Sequence, residues 1–361
     1  MINQTRVALA LASAWLAMAG APAAAQDALA LYGVVDMALV REAGGEHGAL
    51  HKLTSGVPMG ARIGIKGSED LGHGLRAVFV LENGFQADTG EIGQGGLVLG
   101  RQAYVGLQGR FGSVLMGRQY TPQYLAVVIA DPFGSGYVAD SKNVFATSGN
   151  AFSRMDNAIK YISPIVHGAS IELAAAPGER AGTSTAGRQL GAAFDLVAGR
   201  LRVRAGYHER NGDAGPEGRV ETGRNTVLAL VYDLGVVRLH GACGRNQGPN
   251  SSVLRNTANP YGAAQAPQAS TDSRDVMLGM LLPSGPHALM LSLIHKDDRG
   301  SLDQDARQSA VGYRYALSGR TDLYAVHAWI ANRHGAGYTV GNASEGGSGD
   351  RATSLGIRHA F

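Results

Sequence analysis

The chain has 361 residues, 45% of them hydrophobic, and its 32 Lys and Arg against 29 Asp and Glu give a formal net charge of +3. So even a balance argues against nucleic-acid binding, which calls for a strongly basic face. The single cysteine, Cys243, cannot form an intrachain disulfide and is expected to be a small packing residue. Glycine is abundant, 52 residues against 12 prolines, and the mean hydropathy is −0.05, as for a chain that is apolar at every second position and polar between.

The first element is a leader. Arg6 precedes an apolar run from Val7 to about Ala19, and APAAAQ then offers an A-x-A site at Ala23 and Ala25. Residues 1–25 therefore read as a secretory signal peptide cleaved before Gln26, too short in its apolar core for an anchoring helix. No later run is long enough for a membrane helix, so the remaining chain is either soluble or crosses a membrane as a closed barrel.

Period-2 alternation then recurs along the chain. Leu29, Leu31, Val35, Met37 and Leu39 share one face with Tyr32 and Asp36 opposite; Ile63 and Ile65 oppose Arg62 and Lys66; Leu75, Ala77, Phe79 and Leu81 oppose Arg76, Val78, Val80 and Glu82. The same pattern returns at Leu201 to His208 and at Val311 to Leu317. A 3.6-residue apolar stripe is not evident, which makes the chain all-β.

The connections discriminate between a membrane barrel and a soluble sandwich. Seven short turns, at 67–74, 108–112, 163–168, 195–200, 233–235, 283–286 and 317–322, alternate with eight longer polar or Gly-rich stretches, at about 41–58, 85–99, 120–156, 177–188, 209–225, 244–273, 297–306 and 331–351. A sandwich has no reason to sort its loops by end. The expected fold is a 16-stranded antiparallel transmembrane β-barrel, one domain over residues 26–361, with short periplasmic turns, long external loops and an aqueous lumen. The last strand, ATSLGIRHAF, runs to Phe361, which is expected to close the barrel against the first strand so that no edge faces lipid. Tyr32, Tyr104, Tyr161, Tyr313, Tyr315, Trp329 and Phe361 lie near strand ends, where aromatic girdles sit.

Several stretches carry a family likeness: LYGVVD (31–36), RIGIKGSEDLGHGLRAVFVLENGF (62–85), GRQAYVGLQGRFGSVLMGRQYTP (100–122), RMDNAIKYISP (154–164), RTDLYAVHAW (320–329) and the terminal LGIRHAF. Together they resemble the general porins of Gram-negative bacteria, in the branch typical of β-proteobacteria. The resemblance implies a homotrimeric, water-filled channel of the outer membrane, set among bilayer lipid and lipopolysaccharide, that passes small hydrophilic solutes and ions by diffusion. It also implies that the third loop, Tyr120 to about Asp156, folds into the lumen and narrows it, with a short acidic, aromatic, Gly-containing motif near its tip. The matching stretch is DPFGSG, Asp131 to Gly136, with Asp140 following. Here Phe133 follows Pro132 where the family more often has Glu, and the acid stands before the proline.

On the facing wall, lumen parity selects Arg62, Lys66 and Arg76, with Glu82 on the same face and Arg118 and Lys160 as neighbours; Arg101 joins them unless a bulge flips it. Arg202, Arg204, Arg238, His240 and Arg314 share that parity. Opposite charges across a narrow pore set up a transverse field that filters ions, and an excess of bases predicts weak anion preference. No G-x-S-x-G, H-E-x-x-H, paired Cys or phosphate loop occurs, so neither an enzyme nor a cofactor is implied. The alternatives are an adhesin or receptor acting through polar external loops such as 244–271, or a barrel enzyme.

Overall fold

The computed structural model describes residues 28–145, 153–214, 220–252, 254–263 and 265–361. The leader read over 1–25 lies outside them. Strands come in chain order: β1 (Ala28–Gly45), β2 (Gly48–Ser55), β3 (Arg62–Gly72), β4 (Leu75–Gly84), β5 (Gln102–Gly109), β6 (Gly112–Tyr120), β7 (Arg154–Ile162), β8 (Ala169–Ala176) and β9 (Gln189–Ala198). After these come β10 (Leu201–Ala214), β11 (Val220–Asp233), β12 (Arg238–Ser252), β13 (Ser270–Ser284), β14 (His287–Asp298), β15 (Ala306–Ala316), β16 (Thr321–Asn332) and β17 (Arg351–Ala360). Every pairing is antiparallel.

β2 and β3 are two halves of one barrel strand. Both pair with the same edge of β1, β2 against Met37 to Gly45 and β3 against Ala28 to Val34, and residues 56–61 interrupt them. The segments therefore form a closed sheet of sixteen strands. Closure is made by β17 on β1, from Arg351 opposite Ala43 to Ala360 opposite Val34. Phe361 extends the ladder: its N–H donates to Gly33 O at 3.1 Å and its own carbonyl accepts from Gly33 N at 3.0 Å. A Cβ at Gly33 would lie 2.3 Å from Phe361 Cζ, so the ring covers that glycine.

The outer wall is apolar and open. Leu39, Val105, Ile159, Leu278, Leu293 and Leu355 are all exposed along it. Such a surface would drive association in water, but it suits hydrocarbon. No described helix is long and apolar enough to cross a membrane; the wall is the closed sheet itself. Cys243, expected in packing, is exposed on this outer face because it pairs with Leu228 and Val276. Tyr161, Tyr313, Tyr315 and Phe361 also have outer-wall parity, at the short-turn end. Tyr32 and Tyr104 do not, since each is placed on the lumen side: Tyr32 donates to Glu82, and Tyr104 pairs with Val80, itself opposite Lys66.

All seven short turns lie at one end, between β3 and β4 and then at every second connection through β15 to β16. The outer connections differ from expectation in length. The loop read over 41–58 is a two-residue turn, Glu46 and His47, because β1 and β2 continue above the bilayer with Gly44 (φ +95°) and Gly48 (φ +82°) at the reversal. Likewise β10 to β13 run on to Ala214, from Val220, to Ser252 and from Ser270, so the loops read at 209–225 and 244–273 shorten. Their polar composition belongs to strand that stands in water on both faces.

The buried core is unusual in place. It lies inside the lumen, between one wall and the inward-folded outer loops, where Val127, Phe133 and Phe145 of the third loop pack with wall residues Met277, Tyr324 and Val326 and with Tyr338 and Val340 of the last loop.

Candidate functional site

The third outer connection, residues 121–153 and here called loop 3, enters the barrel as helix α1 (Pro122–Ala130). Thr121 caps it, its hydroxyl accepting from Tyr124 N at 3.2 Å, and Pro122 occupies the first helical position, where its missing N–H costs nothing. Gln123, Ala126, Val127 and Ala130 are buried against the lumen side of the wall from β8 to β12. At five points where the loop lies closest to the wall, the wall residue is glycine. A Cβ at Gly206 would lie 2.8 Å from Gln123 Cα, one at Gly279 2.7 Å from Pro132 Cγ, and one at Gly312 2.6 Å from Phe133 Cε1. Gly191 faces Pro122 and Gly244 faces Phe145 in the same way. Five strands thus share a seat of matched depth.

Beyond α1 the chain turns sharply. Asp131 accepts from the amides of Phe133 (2.9 Å), Ser135 (3.1 Å) and Ser141 (3.2 Å), and it is buried. Those contacts hold Ser135 at φ +58°, a region that costs a non-glycine residue about 1 kcal/mol or more. Asp140 accepts from Ser135 Oγ and Lys142 N and pairs with Lys142 Nζ at 3.1 Å. Farther on, Asn143 donates to Gln308 of β15 at 3.0 Å and accepts from Arg255 at 2.7 Å. Tyr137 N reaches Val57 O at 2.7 Å, in the gap between β2 and β3, while Val57 N donates to Asp36 Oδ1 and its carbonyl also takes Ala343 N. One residue of the wall therefore holds loop 3 and the last loop together. The outer connection within 244–271, read as polar and external, is tied in as well: besides Arg255, Tyr261 donates to Tyr338 O at 2.6 Å.

Burial pushes the Asp131 carboxyl up to about 6, hydrogen bonds from Phe133 and Ser141 opposing and the nearby Asp140 charge adding to it. Burial would raise Asp140 too, but Lys142 and Arg255 hold it below its ordinary value. A raised folded-state value means that Asp131 contributes stability fully below its ordinary 3.8 and loses that contribution as pH rises through about 6. Asp140 stays ionised across this window. Amide protection of Ser135 and Ser141 is accordingly expected to be higher at pH 5 than at pH 7, and D131N should abolish the difference. Equal pH dependence in wild type and D131N, read by hydrogen exchange, would refute the assignment.

Across the lumen stand the bases. Arg101 is buried, its Nε donating to Glu82 Oε1 at 2.7 Å and its Nη2 to Tyr120 OH at 2.9 Å. Arg62 Nη1 lies 3.8 Å from the same Glu82 oxygen, and Tyr32 OH donates to the other at 2.8 Å. Arg154, which lumen parity did not single out, donates from Nη2 to Tyr120 OH at 2.9 Å and stacks its guanidinium 4.5 Å above that ring. Three guanidinium groups therefore gather around one tyrosine with one carboxylate among them. Lys66 lies 5.5 Å from the Tyr32 ring centroid, and Arg76 is exposed nearer the short turns.

Four of the expected pore-lining residues lie elsewhere. Asp131 and Asp140 turn their carboxylates into the loop, because its backbone amides and Lys142 are the nearest donors. Lys160 is buried under the start of loop 3, where it binds Glu172 at 2.6 Å and Tyr120 O at 2.7 Å. Arg118 faces the outer wall: it is opposite Ala103, on the side of the Met116–Val105 pair, and its guanidinium pairs with Asp156. Counting back by twos from Lys160 would place Asp156 and Arg154 inside, but a bulge sets Asp156 and Asn157 (φ +54°) against Arg118 alone, turning Asp156 out and giving the inward position to Met155 opposite Gln119. Arg154 reaches Tyr120 from the end of the strand, a placement that the alternation does not signal.

A closed sixteen-stranded barrel, apolar outside, with a charged lumen and one long loop seated within it, defines a porin-type channel. The family comparison agrees: the model described as Gram-negative porin matches residues 8–335, and the chain belongs to that family. It is 28% identical to an outer membrane porin protein of Bordetella pertussis, covering 97% of this chain and 99% of that one. It is 29% identical to outer membrane porin protein 32 of Delftia acidovorans over the same shares. Among solved structures, the anion-selective porin from Comamonas acidovorans superimposes with a TM-score of 0.76 at 26% identity, covering 93% of this chain and all of that one. The protein is thus a channel of the Gram-negative outer membrane for passive diffusion of small solutes.

Proposed function

We propose that the channel is narrowed by loop 3 and prefers anions. The observation that carries this reading is the imbalance across the lumen: Arg62, Arg101 and Arg154 around Tyr120 hold a single carboxylate, Glu82, while both acids of loop 3 are buried within the loop. A fixed positive surplus at a narrow, partly dehydrated passage lowers the barrier for anions and raises it for cations. The similar porin from Comamonas acidovorans is anion-selective, which supports the same direction.

The reading extends to assembly and export. Exposed Ile92, Leu97, Val98 and Leu99 on the second outer connection form an apolar surface suited to a neighbouring copy in a homotrimer. Lipopolysaccharide and bilayer lipid would cover the rest of the wall, and residues 1–25 would direct export. No catalytic role is proposed.

The test is a planar bilayer under a KCl gradient. Openings in groups of three and a reversal potential toward the chloride equilibrium value are expected. A reversal potential on the potassium side would overturn the anion preference, and absence of conductance from folded, inserted protein would overturn the channel reading.

A further inference from the structure

Beneath the start of loop 3 lies a row of charges that ion selectivity does not use. Lys160 on β7, Glu172 on β8, Asp195 on β9 and Arg204 on β10 face the lumen from four consecutive strands, each more than nine-tenths buried, at 4%, 5%, 8% and 8% exposure. They are joined end to end. Lys160 Nζ meets Glu172 Oε1 at 2.6 Å, Arg204 bridges Glu172 and Asp195 with 3.1 Å to the latter, and Arg202 Nη2 closes on Asp195 Oδ2 at 2.7 Å. Two of the bases also reach the backbone of the loop: Lys160 Nζ donates to Tyr120 O at 2.7 Å and Arg204 Nη2 to Pro122 O at 3.3 Å.

Buried ion pairs stabilise a wall poorly compared with apolar packing, because desolvation offsets their attraction; their better-attested use is to fix one arrangement among several. We propose that this row is a clamp whose members are positioning residues: it fixes the first turn of loop 3, hence the Tyr120–Tyr124 stack at 5.3 Å and the Arg154–Tyr120 contact, and so sets the aperture. Farther along, the loop is held by Asn143, which donates to Gln308 and accepts from Arg255, itself 3.5 Å from Asp140. The proposal rests on the reading that loop 3 narrows the lumen.

E172Q keeps the side-chain size and removes the charge that Lys160 and Arg204 share. In single-channel recording its closures are expected to begin at roughly half the wild-type voltage, and the swelling rate of liposomes in a disaccharide, relative to a monosaccharide, to rise roughly twofold. The sign of the reversal potential should stay that of wild type, since Arg62, Arg101 and Arg154 are untouched. D195N, which frees Arg204 from the other side, should behave alike. Wild-type closures and swelling ratios in folded E172Q and D195N would overturn the clamp. So would failure of both variants to reach the heat-modifiable folded form, which would make the row a folding element of the wall. A wild-type channel without anion preference, by contrast, would sink the selectivity reading and leave the clamp test standing.

Discussion

The double charge reversal R62E/R154E should invert the ion preference of the channel. Both guanidinium groups stand free of a close carboxylate: Arg62 lies 3.8 Å from Glu82, and Arg154 spends its donors on Tyr120 OH, Ser153 and the Arg101 carbonyl. Replacing both leaves Arg101 and Glu82 as a neutral pair and adds two negative charges beside them. The chloride-to-potassium permeability ratio is expected to fall at least tenfold, or ~1.4 kcal/mol of differential barrier. Arg101 is left in place because its loss would strand a buried Glu82, and the response would then mix selectivity with misfolding. R307E is the control. Arg307 is exposed and alternates with Gln308, which faces loop 3, so it lies on the outer wall and its reversal should leave the permeability ratio unchanged. A preserved anion preference in R62E/R154E would mean that selectivity resides elsewhere in the lumen.

A leucine at Gly312 should constrict the pore. Even a Cβ there would stand 2.6 Å from Phe133, 3.1 Å from Val326 and 3.2 Å from Met290, and the last two belong to the wall. A paired barrel strand yields little, whereas the turn carrying Phe133 is exposed at Gly134. Overpacking of this kind costs about 1–3 kcal/mol, and displacement of loop 3 away from β15, farther into the lumen, is its cheapest relief. Single-channel steps are expected to shrink to half or less of their wild-type size. G319L, at a turn glycine with nothing within 4 Å of the added carbon, should conduct as wild type does. Full-sized steps in G312L would show that loop 3 does not depend on that seat.

The architecture was legible because lipid imposes a simple rule. Alternation of apolar and polar residues marks each strand, and the sorting of turns by length marks the two ends of a barrel. That rule lapses above the bilayer, where strands such as β12 are polar on both faces; the stretch after Gly244 therefore looked like loop although it is ladder to Ser252. The lumen was only partly legible. Parity locates a side chain on the inner wall but says nothing of what covers it, so Arg62 and Lys160 read alike although one borders the pore and the other is sealed beneath loop 3. Asp131 of DPFGSG and the following Asp140 were read as facing the pore, yet Asp131 is taken up by backbone amides and Asp140 by Ser135, Lys142 and Arg255, partners that no composition reveals. The glycine seat did leave a trace, since Gly191, Gly206, Gly244, Gly279 and Gly312 all have lumen parity. Its meaning depends on knowing which loop lies over them.

The gap between β2 and β3 ties the pore to the seam of the barrel. Val57 receives Tyr137 from loop 3 and Ala343 from the last loop, and it sits beside Asp36, which binds Tyr324 of β16 at 2.8 Å. These partners are separated by some 80 to 290 positions of chain, and Asp36 lies on the strand that closes against β17. Loop 3 and the last loop are therefore both anchored where the two ends of the chain meet, so the width of the pore is tied to the integrity of that seam.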